Sequence, residues 1–415
     1  MTEAVMFTFP VHPAELLTEL ARQFHSWGVP TPVLHRVHER VDDMWGRGRT
    51  AWVPLWAAEA RRAESELDWA GAAACWGAAR FPCLATPDRM EAYERQLACF
   101  QRASANLPVS FRRYAVDVPR GGATTRVVAH VYRRPRAVSD QLLVVCGGAA
   151  AWKVELHRTA LRIALLSGLT VAAVDMPGTG ESQVPMAPDS DLLLAGAVRR
   201  LAERARCTRS AVLGFSFGGH WAAKLALTGR VHAAIDLGGP IGANGSAVDV
   251  LGLPHGMAGI IGNALDLPAL PERADADRFS LEFSLRRQGL LSSASAAPLL
   301  AINGTSDPYV PLRDTVALAD RPEAQVWLVP GAGHCARERL TRVLPPAIGW
   351  LLAELSPRSV RRQLAARALR TSLGDLVTGP RHVPGEERPT PPRAGRLRDA
   401  PVSFRSVAHS PGRNG

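Results

Sequence analysis

From residue 142 to residue 331 the chain repeats one pattern: a short apolar run, then a longer stretch with helical spacing. The runs are LLVVC (142–146), TVAAVD (170–175), SAVLGF (210–215), HAAIDLG (232–238), PLLAING (298–304) and QVWLVPG (325–331). Helical spacing fills about 155–167, 190–206, 217–228, 311–320 and, at the end, 341–355. A strand that is apolar at nearly every position is buried on both faces, and strands joined through helices run parallel. Together these predict an α/β chain with a mostly parallel, doubly wound sheet. Two β-rich runs, 111–119 and 124–133, come first and turn about Gly121-Gly122, which reads as a hairpin.

Ahead of the hairpin the period is that of helices. Leu16, Leu17, Leu20, Phe24 and Trp27 recur at three- and four-residue spacing, and further helical patterns cover about 31–46, 50–80 and 88–105. Six tryptophans, at 27, 45, 52, 56, 69 and 76, fall here, and most of them are expected in the core of these helices. Residues 239–297 interrupt the strand–helix alternation with Gly- and Pro-rich sequence, the expected site of a cap insertion. The division expected is therefore an N-terminal helical domain (1–110), a catalytic domain (111–356) and a basic C-terminal tail (357–415). One basic helix is expected to about residue 374, and 378–415, too poor in apolar residues to bury a core of its own, is expected to be disordered.

The formal net charge of +11 would suggest a nucleic-acid binder if it were spread over the body, but 357–415 alone holds 12 arginines against 4 acidic residues, leaving about +3 for the rest. No nucleic-acid partner is expected. No stretch reaches the length of a membrane span and the N-terminus lacks a signal-peptide pattern, so a cytoplasmic protein is expected. The six cysteines show no C-x-x-C pair and no zinc spacing, so they read as reduced thiols, and neither metal nor cofactor is expected.

Gly214-Phe215-Ser216-Phe217-Gly218 is a G-x-S-x-G pentapeptide at the junction of an apolar strand and a helix. That context is what a nucleophile elbow requires: the turn is so tight that its flanks must be small, and the serine hydroxyl projects above the sheet edge. A serine hydroxyl needs a base within hydrogen-bond reach, and the base needs an acid to orient it. The α/β-hydrolase fold supplies these in the order serine, acid, histidine. Asp307, after the strand LLAING, is the expected acid and His334, in Gly331-Ala332-Gly333-His334, the expected base; Asp314 and Asp320 compete for the acid's role but fall in a helix. The N–H of Phe217 and that of Ala149, with Gly148 as alternative, are the expected oxyanion donors. His220 is expected to be structural, as is Cys335, and Asp175-Met176-Pro177-Gly178-Thr179-Gly180-Glu181-Ser182 reads as a turn at the rim.

A group of features carries a more specific resemblance. Ala78-Ala79-Arg80-Phe81-Pro82, Gly147-Gly148 followed by Lys153 and Glu155, the DMPGTGES turn, GFSFGG, FSLRRQGLL, NGTSDPYVP and GAGH lie within about 1–355. The chain resembles the branch of α/β-hydrolases that includes FrsA-type esterases, 2,6-dihydroxypseudooxynicotine hydrolase and fungal polyketide-shortening hydrolases. The resemblance implies a metal-free serine hydrolase acting on a small carbonyl substrate, at a carbon–carbon bond beside a ketone or at an ester or thioester, as in polyketide tailoring. Where relatives carry a bulky residue, Ala149-Ala150-Ala151-Trp152 departs from the pattern. Acyl transfer or lactonisation by the same triad, a non-catalytic binding protein and a homodimer all remain compatible with the sequence.

Overall fold

The computed structural model describes residues 6–380 apart from 138, 183, 246, 247 and 295. Five helices come first: α1 (Pro13–Trp27), α2 (Thr31–His38), α3 (Trp52–Ser65), α4 (Trp69–Arg80) and α5 (Pro87–Ser104). The apolar stripe of α1 is what buries it, with Leu16, Leu17, Leu20, Phe24 and Trp27 all in the core, and Phe24 meets Trp27, Trp52, Trp56 and Phe81. Trp27, Trp52, Trp56 and Trp76 are buried in this core, as expected, whereas Trp45 and Trp69 are half-buried.

Two expected helices end early, for visible local reasons. The one expected over 31–46 stops at His38 with Glu39 as its C-cap, and further on the Asp43 side chain accepts the N–H groups of Trp45 and Gly46 in a turn that keeps 43–46 out of any helix. The run 50–80 divides at Leu67-Asp68, where Leu67 has φ 60° and Asp68 caps α4 by accepting from the Gly71 N–H at 2.9 Å.

The hairpin β1 (Ser110–Arg120) and β2 (Ala123–Arg133) leads into β3 (Gln141–Cys146), α6 (His157–Ser167), β4 (Thr170–Val174), α7 (Ser190–Ala205), β5 (Arg209–Phe215), α8 (Phe217–Leu227) and β6 (Ala233–Leu237). The segment that follows holds α9 (Met257–Ala264) and α10 (Arg273–Glu282). After it come β7 (Leu299–Gly304), α11 (Leu312–Val316), β8 (Ala324–Val329), α12 (Leu340–Glu354) and α13 (Val360–Thr371). The sheet has eight strands in the order β1-β2-β4-β3-β5-β6-β7-β8. β2 pairs antiparallel with β1 and β4, and β4 through β8 pair parallel. Strands β3, β4 and β6 are buried at every position, which is why their sequences read as nearly continuous apolar runs, interrupted in β6 by Asp236. α6 and α12 pack together over one face, α7 and α8 over the other.

Beyond α12 the chain stays attached. Arg362 donates to Gln141 and to Ser356, and Thr378 exchanges two backbone hydrogen bonds with Leu328 at the outer edge of β8. The expectation of no structure from residue 378 onward is thus corrected at Thr378, which the sheet edge recruits. The rest of that segment, 381–415, lies outside the described residues.

Candidate active site

Strand β5 ends at Phe215, α8 begins at Phe217, and Ser216 stands between them with φ 54° and ψ −127°. A side chain in that conformation is strained by about 1–3 kcal/mol. The flanking residues show how little room the turn leaves. A Cβ on Gly214 would lie 1.9 Å from the Gly218 oxygen, and one on Gly218 would lie 2.5 Å from the oxygens of both Cys146 and Gly147. Only glycine fits two positions before and two positions after Ser216.

Asp307 follows β7 and His334 follows β8, so three chain-distant side chains meet at the carboxyl ends of parallel strands, where ligands bind in open α/β sheets. His334 Nε2 lies 2.8 Å from Ser216 Oγ, and His334 Nδ1 lies 2.7 Å from Asp307 Oδ2. With a carboxylate facing Nδ1, that nitrogen carries the proton and Nε2 accepts from the serine hydroxyl. Asp307 is itself held by four donors: Asn303 Nδ2 at 2.8 Å, the N–H of Tyr309 at 2.7 Å, that of Val310 at 3.2 Å, and His334.

The electrostatics follow from these contacts. Burial works to raise the Asp307 carboxyl, but the hydrogen bond and charge of His334, with the Tyr309 and Asn303 donors, hold it below its ordinary value. For His334 burial disfavours the imidazolium, and the charge and hydrogen bonds of Cys335 and Asp307 outweigh it, raising the group to about 9.

The competing groups are engaged elsewhere. Asp314 accepts from the N–H groups of Ile241, Gly242 and Ala243 at 2.8–2.9 Å, and Asp320 is exposed. His220 is buried with Nδ1 2.8 Å from the Pro240 oxygen, and Cys335 is buried with its thiol on the Leu237 oxygen. Ala149 and Phe217 both line the cavity beside Ser216. Gly148 approaches so closely that a Cβ on it would lie 2.8 Å from that of Ser216.

The loop that carries Ala149 is fixed by a buried ion pair that reaches back to α4. Arg80 donates to Glu155 Oε1 at 2.7 Å and to the Ala150 oxygen at 3.2 Å, and its guanidinium lies 3.5 Å over the Trp152 ring. Glu155 accepts in addition from Gln96 and from the Trp152 N–H, both at 2.8 Å. Beside it Lys153, fully buried, bonds the Asp175 carboxylate and lies 2.8 Å from Glu181, so the DMPGTGES turn is anchored from within. The roles of Arg80, Lys153 and Glu155 were not legible individually. Their signal was a charged residue set among small apolar ones, as in AARFP and AAAWKVE.

The walls of the cavity are mostly apolar and come from α1 (Leu16, Leu20, Gln23), Phe81, the loop 148–151, Phe215 and Phe217 beside Ser216, the segment between β6 and β7, including Met257, Ile260 and Phe279, and Tyr309 and Val310 after β7. None of the N-terminal tryptophans lines it. Residues 43–355 match the model of the FrsA-like esterase family. The chain belongs to the FrsA-like esterases. It is an α/β-hydrolase enzyme, and its similarity to individual family members is modest: 27% identity over 296 residues to Esterase FrsA of Enterobacter sp. (strain 638), covering 66% of this chain and 69% of that protein. Two solved structures share the FrsA-like fold. AbyA5 has a TM-score of 0.71 at 22% identity, covering 86% of this chain and 99% of its own, and 2,6-dihydroxy-pseudo-oxynicotine hydrolase has a TM-score of 0.65 at 21% identity, covering 82% and 97%.

Among the described residues of this FrsA-like chain, no helix is long and apolar enough to cross a membrane. No group of three or more His, Cys, Asp or Glu among them is arranged to hold a metal ion.

Proposed function

We propose that this FrsA-like chain is a serine hydrolase that works through an acyl-enzyme, with Ser216 as nucleophile, His334 as general base and Asp307 as the acid that orients it. The reading rests on one observation, the unbroken hydrogen-bond chain from Ser216 Oγ through the His334 ring to Asp307, at 2.8 and 2.7 Å. Ser216 Oγ attacks the substrate carbonyl as its proton passes to Nε2, and the resulting imidazolium is held against Asp307. The tetrahedral oxyanion faces the N–H groups of Phe217, at the start of α8, and Ala149, each donor worth about 3 kcal/mol. Collapse expels the leaving group, which takes the proton from His334. Water, activated by the same imidazole, then hydrolyses the acyl-serine.

An ester or thioester needs nothing more. In a β-dicarbonyl compound the bond broken is carbon–carbon and the leaving group is an enolate, to which His334 delivers the proton. The apolar walls favour a hydrophobic acyl chain, as expected for a hydrolase that tailors polyketides in secondary metabolism. A fluorophosphonate probe tests the assignment: the wild-type chain is expected to be labelled, and Ser216→Ala is expected to lose both label and turnover. Labelling that survives Ser216→Ala would overturn it.

A further inference from the structure

Directly after His334 the backbone takes a costly path. Cys335 (φ 57°, ψ 21°) and Ala336 (φ 47°, ψ 37°) are consecutive non-glycine residues in the left-handed region. Each costs about 1–3 kcal/mol and persists only where its surroundings hold it. Here the Cys335 N–H donates to Asn303 Oδ1 at 3.1 Å and the Ala336 N–H to the Gly333 oxygen at 3.0 Å. The reversal brings Arg337 to the wall of the cavity that holds Ser216. Arg337 is half-buried, yet its guanidinium has no hydrogen-bond or ion-pair partner among the described residues, and none of its nitrogens is sealed from solvent. The carboxylates around it are engaged or turned outward: Glu338 accepts from the Gly333 N–H at 3.1 Å and lies 3.5 Å from Arg22, and Glu19 is exposed on α1. No Asp or Glu among the described residues lines the cavity, so Arg337 is its one permanently charged wall residue. Burial and the Glu19 charge raise the Tyr309 hydroxyl while the Arg337 charge opposes the rise, and the Tyr309 ring lies 5.0 Å from that of His334. The guanidinium is therefore on the same side of the cavity as the imidazole.

We infer that Arg337 is a specificity-determining residue whose guanidinium receives a carboxylate of the substrate, a group separate from the carbonyl that Ser216 attacks. The substrate class is then an anionic acyl compound: an apolar portion against the walls, a scissile carbonyl at the nucleophile, and a carboxylate within reach of Arg337. The inference deepens the hydrolase reading above and rests on it. A planar guanidinium with free donors meets a carboxylate two hydrogen bonds at a time, and a cation set among apolar walls gains more from an anion than it would in open water. A neutral substrate leaves those donors to water, so the preference comes from a bond that only the anion can make. The carboxylate can belong to the acyl part or to the leaving group; the chemistry that recognises it is the same.

Binding to the full-length Ser216→Ala chain, measured by calorimetry, tests this without depending on turnover. The probes are two matched pairs: phenyl hydrogen suberate with phenyl methyl suberate, which vary the acyl end, and para-carboxyphenyl octanoate with its methyl ester, which vary the leaving group. In at least one pair the acid is expected to bind about tenfold more tightly than the methyl ester, the scale of one charge-assisted hydrogen bond, and the pair that shows it gives the carboxylate's place. Adding Arg337→Met, which keeps an apolar stem but removes the charge, is expected to bring the acid-to-ester affinity ratio to about one. Arg337→Lys, which keeps the charge without the planar fork, is expected to retain part of the preference, a rescue that a merely structural arginine would not give. Arg337→Gln replaces the methionine variant should that fail to fold. Equal affinities within both pairs in the Ser216→Ala parent, or a preference that survives loss of the charge, would overturn the inference. Failure of the hydrolase assignment has a separate signature, the absence of fluorophosphonate labelling in the wild-type chain.

Discussion

Ser216 keeps its left-handed backbone because the strand before it and the helix after it are both fixed, so the strain is sustained by the frame and not by the side chain. Alanine tolerates that conformation no better and no worse than serine. Ser216→Ala is therefore expected to retain its melting temperature within about 1 °C while losing about 10⁴-fold or more in kcat, a pairing that separates loss of chemistry from loss of fold. The imidazole predicts a pH profile. His334 is raised to about 9, and in its proposed role as general base only the neutral ring can act, so kcat/KM on an uncharged ester is expected to climb through the neutral and mildly alkaline range. Asp307→Asn removes a carboxylate that favours the charged ring. It is expected to move the ascending limb to lower pH and to cut kcat by about 10³–10⁴-fold, and a limb that stays in place would count against the pairing. The sign for stability is consistent with this. A histidine raised in the folded state contributes fully below its unfolded value and loses that contribution as pH climbs through about 9. Asp307, lowered in the fold, loses its own contribution as pH falls. The positions of these three residues were readable from sequence because each lies just beyond a strand whose apolar run announces it.

Strand β6 carries a second carboxyl with a pH consequence. Asp236 is buried beside α8, where Oδ1 accepts from the Gly239 N–H at 2.7 Å; burial, with Asp314 nearby, pushes it up to about 8. It is therefore uncharged at neutral pH, and the folded state holds a proton that the unfolded chain releases above about pH 4. The burial penalty grows from there and is complete only above about 8. Asp236→Asn, which keeps an acceptor for Gly239, is expected to raise the melting temperature by roughly 2 °C or more at pH 8 and by less at pH 5, as read by calorimetry at the two pH values. The Arg80–Glu155 pair predicts the opposite kind of outcome. Both side chains are removed from water, so Arg80→Met leaves an uncompensated carboxylate and is expected to cost about 3–5 kcal/mol by urea unfolding; Arg80→Met with Glu155→Met is expected to regain a large part of that. Elements of the sheet were legible because total burial erases alternation from their sequences. The helix ends near residues 38 and 67 were not, because local side-chain bonds, the Asp43 turn beyond the first and the Asp68 cap at the second, interrupt an otherwise continuous period.

For the whole molecule, the chain beyond α12 divides at Pro380 rather than at Ser356. Leu373 and Val377 are buried, Arg370 lies 5.0 Å over the Trp327 ring, and Thr378 closes the edge of β8. Truncation after Pro380 is expected to leave kcat and melting temperature unchanged, whereas truncation after Ser356 is expected to lower the melting temperature and promote association through the bared strand edge, measurable by calorimetry and light scattering. The basic composition of 357–415 could not reveal this, since charge says nothing of the few apolar residues, Leu373 and Val377 among them, that hold the first part down. The salt link between α4 and the loop before α6 has a further implication for relatives. The Arg80 guanidinium and the Gln96 amide both reach across the join to Glu155, so helical segment and sheet cannot drift independently. A hybrid in which the first hundred residues are exchanged for those of another esterase should take shape only if its donor brings an arginine that finds the same glutamate.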